Sequence, residues 1–150
     1  MNKTILIAVI AVALIIVIFG VYLIISNQSG IPGINQSGTS FDVEGTKVEI
    51  LKQGTGVAIK AGDNITVNYV GTLADGKKFD SSIDRNSPFT FIVGKGNVIK
   101  GFDAGLLGAK IGEKRKITIP PESAYGSTGI PNVIPPNSTL IYEVEILGIN

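Results

Sequence analysis

The sequence predicts an α+β domain in which a mainly antiparallel β-sheet packs against one short helix, preceded by one N-terminal transmembrane helix. Apolar and polar residues alternate along several segments between residues 47 and 149, which indicates strands with one buried face. One segment alone has the spacing of an amphipathic helix, and the first 25 residues contain a long uncharged apolar run. The predicted organisation is a membrane anchor over residues 1–25, a flexible linker over 26–41 and a globular domain over 42–150.

The apolar run extends from Thr4 to Ile25. A helix of this length is about 33 Å long, enough to cross the hydrocarbon core of a bilayer. Signal peptides have a shorter apolar core and end at a small-x-small site, which favours an uncleaved signal anchor over a cleaved peptide. Lys3 is the only charge before Asp42, and positive charge favours the cytoplasmic side. We therefore expect a single-pass protein of the cell membrane with its domain on the extracytoplasmic side.

Composition excludes several classes of chemistry. The chain has no His and no Cys, which excludes thiol nucleophiles, imidazole catalysis, disulfides and zinc sites of the Cys/His type. Beyond Lys3, acidic and basic residues are equal in number, so no basic stripe indicates nucleic acid. The linker over residues 26–41 is polar and rich in Gly and Ser, with too little apolar surface to pack. No metal or cofactor is expected.

The strands are predicted from alternation and from the turn signals between them. Ile65, Val67 and Tyr69 lie on one face of the segment DNITVNYVGTL, and an Asp-Gly pair at residues 75–76 predicts the following turn. Further strands are predicted in KVEILKQG, KKFDSS, PFTFIV, KRKITI and TLIYEVEILGI. In the last of these, two glutamates alternate with apolar residues.

The single helix is predicted in NVIKGFDAGLLGAKIG, where Ile99, Phe102 and Leu106 recur at i, i+3 and i+7. Asn97 is the predicted N-cap, and Gly108 is predicted to end the helix. Glycines at positions 101 and 105 weaken an isolated helix. Packing against the sheet must therefore stabilise it.

Two blocks combine aromatic residues with Gly-rich turns in a distinctive order and spacing: YVGTLADGKKFDSSIDRNSPFTFIVGKGNVIKGF over residues 69–102, and AYGSTGIPNVIPPNSTLIYEVEI over 124–146. Together they closely resemble the FKBP-type peptidyl-prolyl cis-trans isomerases, over about residues 47–149. The resemblance implies a curved sheet wrapped around the helix and rotation about Xaa-Pro peptide bonds of polypeptide substrates. A monomer is expected, since no two Gly or Ala residues of the apolar run are four positions apart, the spacing that favours helix pairing.

The resemblance also implies a site. Its catalytic residues are Asp80, Tyr125 and Ile99, with the Tyr125 hydroxyl and the Ile99 backbone N–H donating to substrate carbonyls. Asp80 is the carboxylate of the pocket, held by Arg85 and by the Tyr69 hydroxyl, because a buried carboxylate is costly unless it is paired. The substrate-binding residues implied are Tyr69, Phe79, Arg85, Phe89, Phe91, Val98, Phe102, Val133, Ile134 and Tyr142.

Two positions depart from the family pattern. Phe102 stands where many members have Trp, which predicts a deeper floor and weaker binding of macrolide inhibitors. Ile130 stands where some members have His. The alternative function is a membrane-tethered module that binds proline segments or acts as a chaperone with little catalysis. Retention of Asp80 and Tyr125 favours the enzyme.

Four asparagines begin Asn-x-Ser/Thr sequences, which accept a glycan only in a glycosylating compartment. They are Asn27, Asn35, Asn64 and Asn137.

Overall fold

A computed structural model describes residues 39–150. The predicted transmembrane helix and nearly all of the predicted linker lie outside the described residues. Within residues 39–150 no helix has the length and apolar character needed to cross a membrane. The described part contains the strands β1 (Ser40–Val43), β2 (Thr46–Lys52), β3 (Asn64–Leu73), β4 (Lys78–Ser81), β5 (Phe89–Ile92), β6 (Lys114–Ile119) and β7 (Leu140–Ile149), and the helix α1 (Lys100–Leu106).

The seven strands of the described part form one sheet, in which six lie in the order β1-β2-β6-β7-β3-β4 and β5 pairs with β3 outside this order. Every pair is antiparallel. Strand β3 pairs with β7 along its whole length, and on its other side it pairs first with β5 and then with β4. The predicted antiparallel sheet with one short helix is thus confirmed. Strand β1 was not predicted, and it begins at Ser40, two residues before the predicted start of the domain.

The core lies between α1 and one face of the sheet. The predicted inward residues of β3 are buried, and Ile117 and Ile119 of β6 are buried beside Leu106 of the helix. Alternation works as a predictor here because successive strand side chains point to opposite faces. Complete burial of one such side chain contributes about 1.5–3 kcal/mol.

The start of α1 differs from the prediction. The N-cap position belongs to Ile99, which has an extended backbone, and no side chain caps the helix, so the assignment of Asn97 as N-cap is wrong. Val98 and Ile99 pack against the core in the segment before the helix, which delays the helical turn until Lys100. At the other end, Gly108 has a φ of +75° shortly after the last helical residue, which agrees with the predicted end.

Two glycines allow α1 to lie very close to the sheet. A Cβ at Gly101 would be 2.3 Å from Ile119 Cγ2 and 2.8 Å from Thr46 Oγ1. A Cβ at Gly105 would be 2.7 Å from Ile117 Cγ2. Neither glycine has a positive φ. Close approach of the helix, and not backbone conformation, is therefore the reason for glycine at both positions.

A buried ion pair holds the other end of the helix. Arg115 on β6 points inward and donates from Nε to Glu113 Oε1 at 2.6 Å, and both residues are only 2–3% exposed. Its Nη1 donates to the carbonyls of Gly105 (2.7 Å) and Leu107 (2.9 Å), which lack partners within the helix. This pair was not predicted, since charged residues in KRKITI are expected on the solvent face.

Replacing Gly101 by Ala tests the close approach. Ala favours an isolated helix over Gly by about 1 kcal/mol. Here the added methyl group must displace Ile119, so we expect the free energy of unfolding in urea to fall by about 1–3 kcal/mol.

The matched control is Gly148→Ala in β7, because a Cβ there meets no atom within 4 Å. We expect the control to change the free energy of unfolding by less than about 0.5 kcal/mol. A Gly101→Ala variant as stable as the wild type would contradict the packing argument.

Candidate active site

A cavity of about 200 Å³ opens where β3, β4, β5 and β7 meet the start of α1. The residues around it come from distant parts of the chain, and antiparallel pairing brings them together. Gly71, for example, is paired with Asp80 on one side and Tyr142 on the other. The lining residues are Tyr69, Asp80, Phe89, Asn97, Val98, Ile99, Phe102, Tyr125 and Tyr142.

Aromatic rings form the walls and floor of the cavity. Tyr69 contacts Phe89, Phe102 and Tyr142 edge-on, with ring centroids 5.9–6.1 Å apart. Phe102 and Tyr142 lie closest, at 4.9 Å. Edge-to-face contacts of this kind are each worth about 0.5–1.5 kcal/mol beyond burial of area. The result is a rigid apolar slot.

Two predicted wall residues support the slot from behind. Phe79 packs perpendicular to Tyr142 at 5.6 Å, and Phe91 stacks on Phe89 at 5.2 Å. Neither lines the cavity itself. Their role in this geometry is to hold the orientation of the lining rings.

One polar network lies on the side of the slot. The Tyr69 hydroxyl donates to Asp80 Oδ2 at 2.5 Å, and Arg85 donates from Nη1 to Asp80 Oδ1 and from Nη2 to the Tyr69 hydroxyl at 2.9 Å. The Ser81 backbone N–H donates to Asp80 Oδ1 at 2.8 Å. Both contacts that the resemblance implied for Asp80 are therefore present in the structure.

This network determines the ionisation of the carboxyl. Burial by itself raises the pKa of Asp80, but the hydrogen bonds from Tyr69 and Arg85, together with the Arg85 charge, outweigh it and leave the pKa below its ordinary value. Asp80 is consequently a carboxylate at neutral pH. Burial and the adjacent Asp80 raise the pKa of both Tyr69 and Tyr125 above the ordinary tyrosine value, so these phenols stay protonated.

Two hydrogen-bond donors that the resemblance implied for the slot have no protein acceptor within the described residues. They are the backbone N–H of Ile99, which precedes the helix, and the hydroxyl of Tyr125. The Tyr125 loop is held by backbone hydrogen bonds from Gly126 N to the Pro121 carbonyl and from Asn137 N to the Gly126 carbonyl, both 2.8 Å. Both donors are therefore fixed in place and free to meet a ligand.

Some predicted site residues lie beside the slot and do not line it. Val133 and Ile134 do not line the slot; they border a separate surface groove with Ile130, and Ile134 is buried while Val133 is 41% exposed. Arg85 does not line the slot and contacts it only through Asp80 and Tyr69.

Asn97 lines the slot although it was predicted only as a helix cap. Its place directly before Val98 and Ile99 is the one signal in the sequence that indicates it.

An apolar slot with fixed hydrogen-bond donors and one paired carboxylate defines a class of site. It suits an apolar segment of polypeptide that presents carbonyl groups and no N–H of its own, which describes proline.

Comparison with known proteins identifies the family. Residues 56–147 match the family model described as FKBP-type peptidyl-prolyl cis-trans isomerase. The chain is 53% identical over 108 residues to FK506-binding protein 1A of Neurospora crassa, covering 71% of this chain and 90% of that one. It is 50% identical over 107 residues to a peptidyl-prolyl cis-trans isomerase of Schizosaccharomyces pombe, covering 71% and 96%. The chain belongs to this family and is an FKBP-type peptidyl-prolyl cis-trans isomerase.

A solved structure agrees with the fold. The crystal structure of FkpA from Escherichia coli matches with a TM-score of 0.69 and 42% identity, over 78% of this chain. The match spans 53% of the FkpA chain. The antiparallel sheet with one short helix is therefore the fold of this family.

The lowered pKa of Asp80 makes the stability of the protein depend on pH. Because its pKa is lowered in the folded state, its contribution to stability is present above the unfolded value of about 3.9 and is lost as the pH falls through the lowered pKa. We expect the stability difference between the wild type and Asp80→Asn, measured by urea unfolding, to be constant from about pH 5 to 8 and to narrow below about pH 4. The difference is at most about 1 kcal/mol, since the side chain is 37% exposed.

Isomerase activity distinguishes the carboxylate of the slot from a carboxylate on the surface. Asp80→Asn is expected to lower kcat/KM several-fold at neutral pH. Asp84→Asn is the matched control, because Asp84 is an exposed carboxylate that pairs with Lys78 outside the slot. A control that lost as much activity as Asp80→Asn would contradict the special role of Asp80.

Proposed function

We propose that this isomerase acts on exported or surface polypeptides while anchored in the membrane by residues 4–25, with its domain on the extracytoplasmic side. One observation carries the proposal. The shared domain alone accounts for 90–96% of the two fungal relatives, whereas this chain has an additional N-terminal part that contains the uncharged apolar run. The single positive charge before the run supports the orientation.

The reaction needs no covalent step. Rotation about an Xaa-Pro bond has a barrier of about 18–20 kcal/mol because amide resonance is lost in the twisted form. A catalyst must therefore bind the twisted amide better than either planar form. A preference of about 6 kcal/mol would accelerate rotation on the order of ten thousand-fold.

The slot supplies binding for the proline ring and fixes the segment on both sides of it. Phe89, Phe102 and Tyr142 enclose the ring, while the Ile99 N–H and the Tyr125 hydroxyl donate to substrate carbonyls. When the flanking carbonyls are held, rotation about the Xaa-Pro bond is the motion that remains free.

Loss of the Tyr125 hydroxyl in Tyr125→Phe is expected to lower kcat/KM in a protease-coupled assay, because one substrate carbonyl then has no donor. An unchanged value would contradict this contact.

The carboxylate of Asp80 acts by its charge. Resonance in a planar amide places negative charge on the carbonyl oxygen, and twisting removes it. A carboxylate beside that oxygen therefore repels the planar form more than the twisted form, which lowers the barrier. The three donors that hold Asp80 keep it ionised and in position for this effect.

The slot is also suited to the macrolide named in its relatives. The Neurospora protein is named for FK506 binding, and we propose that this chain binds FK506 in the same slot. We expect Phe102→Trp to lower the Kd for FK506 several-fold in calorimetry, because an indole fills more of the floor and adds one N–H donor.

Phe41→Trp is the matched control for the macrolide. Phe41 lies on β1, does not line the slot and is partly exposed. A Kd that did not fall in Phe102→Trp, or that fell equally in both variants, would contradict the role assigned to Phe102.

Topology is tested in intact cells. We expect protease added outside intact cells, or outside spheroplasts where a wall is present, to digest the domain while a cytoplasmic marker stays protected. The membrane fraction should retain the full-length chain after alkaline extraction, and a variant without residues 1–38 should be released. Protection of the domain until the cells are permeabilised would overturn the orientation, and release of the full-length chain would overturn the anchor.

A further inference from the structure

The hydroxyl of Tyr142 belongs to a ring that forms part of the wall of the slot. Tyr142 lines the slot and is only 7% exposed. The Tyr69 hydroxyl, on the facing wall, is engaged by Asp80 and Arg85. Within residues 39–150, by contrast, the Tyr142 hydroxyl makes no hydrogen bond. The hydroxyl oxygen is open to the cavity and is not sealed in the core, so it can meet a bound molecule, whereas a Phe at this position would offer no donor.

The ring of Tyr142 cannot turn its hydroxyl away from the slot without repacking the wall. Phe79 and Phe102 contact the ring at 5.6 and 4.9 Å, and Tyr69 contacts it at 5.9 Å. Beneath it lies Gly71, where a Cβ would be only 3.0 Å from Tyr142 Cε1. The position of the hydroxyl is therefore as fixed as that of the other two donors.

The surroundings keep this hydroxyl protonated. Burial is the main cause that raises the pKa of Tyr142 above the ordinary value, and the nearby Tyr125, Tyr69 and Asp80 raise it further. Tyr125, Tyr69 and Asp80 all line the slot, so the Tyr142 hydroxyl lies near its polar groups. Asp80 already accepts from three donors. A ligand is thus the natural source of an acceptor for Tyr142.

We propose that the Tyr142 hydroxyl is a third hydrogen-bond donor to the bound peptide, beside the Ile99 N–H and the Tyr125 hydroxyl. Its acceptor is a carbonyl oxygen of the Xaa-Pro segment that the other two donors leave free. This inference rests on the proposed binding of the Xaa-Pro segment in this slot. Proline has no N–H, so the segment offers more acceptors than donors and matches a slot that offers donors.

The contact acts on substrate binding and specificity. A carbonyl that is bound equally in the planar and twisted forms contributes to KM and leaves kcat unchanged. A slot with a third buried donor also rejects ligands that lack an acceptor there, because the hydroxyl then stays unpaired. Tyr142 is in this sense a specificity-determining residue.

The test compares Tyr→Phe variants of the full-length chain, purified in mild detergent, with the substrate succinyl-Ala-Leu-Pro-Phe-4-nitroanilide. Tyr142→Phe keeps the ring and removes only the hydroxyl. We expect KM to rise about 3- to 10-fold, the range for one neutral hydrogen bond, with kcat within about twofold of wild type. Tyr22→Phe, in the predicted anchor, is the matched control, and urea unfolding checks that each variant is folded.

The outcomes separate this inference from the proposed function. A KM for Tyr142→Phe within about twofold of wild type, or a fall in kcat with no rise in KM, would overturn the third donor. If Tyr125→Phe has no effect but Tyr142→Phe raises KM, the contact proposed for Tyr125 fails and that of Tyr142 stands. Failure of both variants to change either constant would overturn both contacts.

Discussion

The close packing of α1 against β6 is the constraint on which the rest of this structure depends. Gly101 and Gly105 let the helix backbone approach Ile119 and Ile117, and Arg115 binds the carbonyls at the end of the helix. With only seven residues, the helix would not form in isolation. The position of the helix determines where Ile99 and Phe102 lie. Both residues line the slot, and the ring of Phe102 forms its floor.

The same domain contains two ways of stabilising a buried charge. Glu113 and Arg115 are almost fully buried and satisfy each other and the helix carbonyls, so their role is structural. Asp80 is partly exposed and is held by Tyr69, Arg85 and the Ser81 N–H at the edge of a cavity. A paired charge of this second kind can act on a ligand because one side of it remains open.

The slot resembles a hydrophobic core with one side missing. Its rings pack on each other by edge contacts that are common inside proteins, and Phe79 and Phe91 continue the packing behind them. What makes it a site is the set of hydrogen-bond donors that line it and have no protein acceptor within residues 39–150. The fixed donors match an Xaa-Pro segment, because such a segment presents carbonyl groups and has no N–H at proline.

The sequence by itself determined the strands from β2 to β7, the single helix, the family and most residues of the slot. It could do so because strand alternation and helical spacing are local, and because the two aromatic blocks keep their order and spacing. It misassigned Asn97 as the cap, missed β1, and gave no sign of the buried Glu113–Arg115 pair. Only the tertiary structure decided that Val133 and Ile134 border another groove and that the Tyr142 hydroxyl has no partner within residues 39–150. Those facts depend on which strands and loops meet across the sheet, and contacts between distant residues leave no periodic trace in the chain.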